Sequence, residues 1–91
     1  MITAKEAQQI SLKVAEEGIK YQLREIEKLI IDACEKGERH VCIVGADKKL
    51  FPKEQDQLDA LFVLEEKYGF DAFTVDGELH IYWYQLKKQI A

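Results

Sequence analysis

Between two runs of alternating β-forming residues, Phe70-Asp71-Ala72-Phe73-Thr74-Val75 and Glu78-Leu79-His80-Ile81-Tyr82-Trp83-Tyr84, stands the dipeptide Asp76-Gly77. Such a pair supplies the positive φ angles of a two-residue hairpin turn, and the turn fixes the register of both strands. Strand alternation then sends Leu79, Ile81 and Trp83 to one face and His80, Tyr82 and Tyr84 to the other. The first set reads as a core face. The second is too aromatic for an ordinary solvent face and too polar for a core, which predicts an interface at His80, Tyr82 and Tyr84.

The rest of the chain predicts what covers that hairpin. Thr3-Ala4-Lys5-Glu6 has the form of a capping box and starts a helix. Apolar positions Leu12, Ala15, Ile19, Leu23, Ile26, Ile30 and Ala33 recur at steps of three and four until Gly37 offers a C-cap. Residues 4 to 36 are one long helix or two helices hinged near Gly18, where a glycine costs roughly 1 kcal/mol against alanine. Unbroken, about 33 residues of helix would reach on the order of 50 Å, well beyond so small a domain. The segment 1–18 is therefore expected to project as an arm. It carries the start of a second apolar line, Ala7, Ile10, Val14 and Tyr21, that seeks a partner chain, and the bland alternative is that it folds back at Gly18.

His40-Val41-Cys42-Ile43-Val44 reads as a strand, Gly45 to Lys49 as a loop, and Pro52 as the first turn of a helix running to Tyr68, stopped by Gly69. Its apolar residues Leu58, Ala60, Leu61, Phe62, Val63, Leu64 and Tyr68 span more than one stripe, as in a helix that is largely buried or shared between two surfaces. The expected fold is α+β, a two-layer α-β-α-β-β chain with both helices on one face of a three-stranded mixed sheet. In it, strand 40–44 lies parallel to strand 70–75 and the C-terminal hairpin adds the antiparallel third strand. Val41, Ile43, Phe73, Val75, Leu79, Ile81 and Trp83 are expected to fill the core, leaving His40, Cys42, Thr74, His80, Tyr82 and Tyr84 on the open face. At 91 residues this is a single domain, 1–91, with 19–91 as its compact part.

Charge and cysteine usage exclude several functions. Net charge is −4, and neither the half up to Arg39 nor the remainder is basic, so the usual attraction to nucleic acid or an anionic membrane is missing. The longest apolar run, Ala60 to Leu64, is far too short for a bilayer span, and Met1 leads into a charged amphipathic segment without a signal-type apolar core. A protein that is neither secreted nor in a membrane is expected. Cys34 and Cys42 show no CxxC spacing and read as reduced, packed thiols.

Cys34, His40, Cys42 and His80 have the chemistry of a zinc site but the spacing of no finger or ribbon, and Cys34 belongs to the helical layer, so no metal is expected. The lone serine, Ser11, lies inside a helix, and a dyad of Cys42 with His40 or His80 needs a lowered thiol pKa that an acidic chain does little to provide. No catalytic residue, no cofactor and no enzymatic activity are expected. Glu16–Lys20 reads as an ordinary i,i+4 pair. Tyr82 and Tyr84 resemble in outline a stacking platform for single-stranded RNA, but basic residues are sparse beyond Lys87 and Lys88, which argues against nucleic acid as a partner.

Four segments follow one another in a familiar arrangement: Thr3-Ala4-Lys5-Glu6-Ala7, Ala33-Cys34-Glu35-Lys36-Gly37-Glu38, Lys67-Tyr68-Gly69-Phe70 and Leu79-His80-Ile81-Tyr82-Trp83. Together they resemble small proteins encoded by tailed bacteriophages and prophages, with a TAKEA-type start and a terminal I-x-W strand. The present chain departs from that pattern by continuing past Trp83. The resemblance implies a non-enzymatic accessory or virion-associated protein, found in the virion or the host cytoplasm. Its partners would be further copies of itself and other virion or host proteins, and it supplies no active site. Ile10, Val14, Tyr21, His80, Tyr82 and Tyr84 are the expected contact residues. A small phage-encoded binder that sequesters a host protein, a nucleotide signal or a nucleic acid is the alternative.

Overall fold

A computed structural model describes residues 1–84 of the chain. Their order is α1 (Ala4–Gly18), α2 (Lys20–Glu35), β1 (His40–Ile43), α3 (Ala46–Lys49), α4 (Glu54–Glu66), β2 (Asp71–Val75) and β3 (Glu78–Tyr82). The α+β class, the helices on one face of a three-stranded sheet and the C-terminal hairpin are as expected. Among the described residues no helix is long and apolar enough to cross a membrane.

Local signals set most boundaries. The Thr3 hydroxyl accepts from the Glu6 backbone N–H, and the Glu6 carboxylate accepts from the Thr3 N–H, which completes the capping box. At the end of α2, Gly37 takes φ +81°, and the Glu38 N–H returns to the Ala33 carbonyl at 2.9 Å, the six-to-one bond of a Schellman cap. Asp76 and Gly77 adopt φ of +51° and +78°, as the hairpin turn requires.

The sheet order is β1-β3-β2, and both pairings are antiparallel. The expected mixed sheet does not form: β1 and β2 run in the same direction, but β3 lies between them. The β1-to-β2 connection leaves a gap one strand wide, and the returning hairpin strand fills it. Its alternation suits a central place, since Leu79 and Ile81 are completely buried under the helices.

The long helix breaks. Ile19 leaves helical geometry at φ −125°, and its N–H bonds the Glu16 carbonyl three residues back. Beyond the break α1 turns back along α4, with Ala15 in the core and Leu12 packed against it. The projecting arm is thus replaced by the folded-back alternative. Glu16, read as a partner of Lys20, instead accepts from Lys67 Nζ at 2.8 Å and from the Tyr68 hydroxyl at 2.5 Å, while Gln8 Nε2 donates to Glu66 at 3.0 Å. These contacts fasten α1 to the C-terminal end of α4.

Other expectations are corrected in β2 and in the connection before α4. Segment 45–49, read as a loop, contains the one-turn α3, and Pro52 precedes the Lys53 N-cap instead of sitting in the first turn of α4. Between them Phe51 is almost fully buried, a core residue the sequence pattern did not reveal. On β2 the faces are reversed: Ala72 and Thr74 pair with Ile81 and Leu79 on the core side, while Phe73 and Val75 stand on the open side, 41% and 47% exposed. A small Ala72 lets α4 approach the sheet closely, whereas Phe73 has aromatic partners on the other face. Trp83 lies past the end of β3 and is half-buried beside Gly37, Arg39 and Cys34, not within the core.

Candidate functional site: the open face of the sheet

Because α1, α2 and α4 lie on one side of the sheet, the alternate side chains of three strands meet on the other. The register arranges them in rows. His40, Tyr82 and Asp71 form one row; Cys42, His80 and Phe73 form the next; Glu78 and Val75 continue below. Three ring pairs are stacked: His40 on Tyr82 at 4.9 Å, Phe73 on His80 at 5.1 Å, and Phe73 on Tyr82 at 5.9 Å, all within 12° of parallel. Cross-strand contacts of this kind contribute about 0.2–1 kcal/mol each and fix the rings in place. The result is a surface of mutually stacked rings with no Lys or Arg at any of these positions.

Of the expected contact residues, His80 and Tyr82 lie in this surface. Tyr84 lies beyond the strand end, 51% exposed, with the Arg39 guanidinium 5.1 Å over its ring. Phe73 belongs to the surface although its sequence pattern placed it in the core. Lys87 and Lys88 lie outside the described residues.

Ile10, Val14 and Tyr21 are elsewhere and are 57%, 66% and 64% exposed. Ile10 and Val14 occupy the flank of α1 turned away from the core face that carries Leu12 and Ala15. The chain therefore brings together the sheet residues but keeps the helical line as a separate apolar strip. A third feature is an apolar cleft of about 260 Å³ lined by Leu23, Ile26, Ile30, Leu64, Tyr68 and Phe70, with Glu27 at its rim. One carboxylate offers a ligand there little to fix its orientation.

At the centre of the sheet face, Cys42 Sγ lies 3.8 Å from His80 Nε2, which lies 3.4 Å from Glu78 Oε1. Loss of water around the sulfur, and then the adjacent Glu78 carboxylate, hold the Cys42 thiol above its ordinary value of 9.0. That shift disfavours a thiolate nucleophile in the metal-free protein. Cys34 is exposed and lies beside Trp83 and Arg39, so the set Cys34, His40, Cys42 and His80, weighed and set aside from the sequence, is not assembled as one group. Glu78 escaped the sequence reading because its place beside Cys42 depends on β1 pairing with β3. A scan against family models and searches of the curated proteins and of the solved structures return no match.

Proposed function

We propose that this chain is a non-enzymatic protein of the bacteriophage accessory or virion-associated kind, and that it works through protein contacts, first with further copies of itself. The phage setting rests on the resemblance of its helix-start, helix-end and terminal-strand motifs. The contact role rests on one observation: a surface of stacked rings, with Val75 and Phe73 exposed at its edge, faces away from the described helices. Rings already ordered by their neighbours lose little entropy on docking, which favours them as binding hot spots. Asp71 and Glu78 among them, and the absence of Lys or Arg from the described sheet-face positions, favour a protein partner over a phosphate backbone. The exposed Ile10 and Val14 strip on α1 supplies a second contact, as a subunit that builds an assembly needs.

Sedimentation velocity tests this with wild type and the Phe73→Ser/Tyr82→Ser variant. The wild type should associate reversibly at high micromolar concentration, with weak dependence on salt. The variant should stay monomeric and folded. Loss of the cross-strand stacks should cost about 1–2 kcal/mol, lowering Tm by about 5–15 °C. A wild type that is monomeric throughout would refute self-association, and association that survives in the variant would move it off the sheet.

A further inference from the structure

We infer that Cys42, Glu78 and His80 form a binding site for a zinc-class divalent cation on the open face of the sheet, with the fourth coordination position left to solvent in the unassociated chain. Cys42 and His80 are directly opposed across the β1–β3 ladder, and Glu78 follows on the same face two residues from His80. Their ligand atoms all lie within 4.8 Å of one another, and among the described residues this is where three metal-ligating side chains converge. A tetrahedral zinc with sulfur at about 2.3 Å and nitrogen or oxygen at about 2.0–2.1 Å separates its ligand atoms by about 3.3–3.6 Å. The sulfur–nitrogen and nitrogen–oxygen separations of 3.8 and 3.4 Å sit close to those edges.

The donor set selects the ion. One thiolate and one carboxylate bring two negative charges that a dication neutralises. Thiolate with imidazole favours zinc or cobalt over magnesium or calcium, which prefer oxygen throughout. Pre-organisation comes from the surroundings: the His80 ring is stacked within 10° of parallel on Phe73, which holds Nε2 toward the sulfur. Three side chains from the protein and one open position facing solvent match the three-plus-one pattern of zinc sites that exchange a water for another ligand.

Titration of metal-free protein with Co²⁺ alone, then displacement by Zn²⁺ alone, tests the site. One Co²⁺ per chain should bind, with a sulfur-to-metal charge-transfer band in the near ultraviolet and visible bands of tetrahedral intensity, all removed by equimolar Zn²⁺. Cys34→Ser should leave the spectrum unchanged. Cys42→Ser should abolish the charge-transfer band, and His80→Gln should weaken binding by about 100-fold or more, since even outer partners of such ligands are worth 10–100-fold. The Cys34→Ser protein retains all three proposed ligands, so its titration stands even if another variant fails to fold. Absence of saturable binding to wild type and Cys34→Ser protein would overturn the site, as would a charge-transfer band that persists in folded Cys42→Ser.

Discussion

Gly77 shows how much one residue decides. It holds φ +78° in the hairpin turn, and a Cβ there would stand 2.9 Å from the Asp47 carboxylate, whose own backbone N–H donates to the Gly77 carbonyl at 3.4 Å. Gly77→Ala should therefore lose about 1–2 kcal/mol from backbone strain alone, with Tm falling by about 4–16 °C. Gly18→Ala is the contrast: a Cβ there meets nothing within 4 Å, so thermal denaturation should show no loss. An unchanged Tm in Gly77→Ala would refute the turn. Asp76-Gly77 was legible in the sequence because local geometry alone demands it. The place of Phe73 was not, because either face of β2 could accept it, and the choice fell to Ala72 under α4 and to the rings of His80 and Tyr82. Phe51 was hidden for a related reason: a single aromatic before a proline carries no periodicity.

Among the elements, the break between α1 and α2 has the largest structural consequence. The stripe from Leu12 to Ala33 was readable, but a stripe looks the same on a continuous helix and on two helices that fold over one core. Ile19 settles the difference by leaving helical geometry while being fully buried. The α1–α4 contact then depends on Glu16. Hydrogen bonds from Lys67 and Tyr68 hold its carboxyl below the ordinary 4.5. The same bonds hold Lys67 above 10.5 and Tyr68 above 10.0. A lowered carboxylate contributes stability above its unfolded value and loses it as pH falls through the folded one. A raised lysine or tyrosine contributes below its unfolded value and loses it as pH rises. Wild type should thus exceed Glu16→Gln in Tm at neutral pH, and the difference should shrink below about pH 4.5 and again above about pH 10. A difference independent of pH would mean that Glu16 acts by packing alone.

At the scale of the whole molecule, fold class and layer count followed from the order of helical and strand patterns, but strand order did not. A helix between two like-directed strands is compatible with adjacency or with a gap, and only tertiary packing places β3 between β1 and β2. That insertion creates the site. It sets His80 opposite Cys42 and Phe73 at once, and it leaves Tyr82 stacked on His40 and on Phe73. Among the described residues every helix lies on the other side and none covers those rings, which is why the proposed function places another chain there. The most direct measurement is a dilution series of amide ¹H–¹⁵N spectra on uniformly labelled wild type, which locates self-contact residue by residue. Concentration-dependent shifts should concentrate in β1, β2 and β3, at His40, Cys42, Phe73, Val75, His80 and Tyr82. Shifts confined to α1, or spectra that do not change with concentration, would contradict the assignment of the sheet face as the working surface.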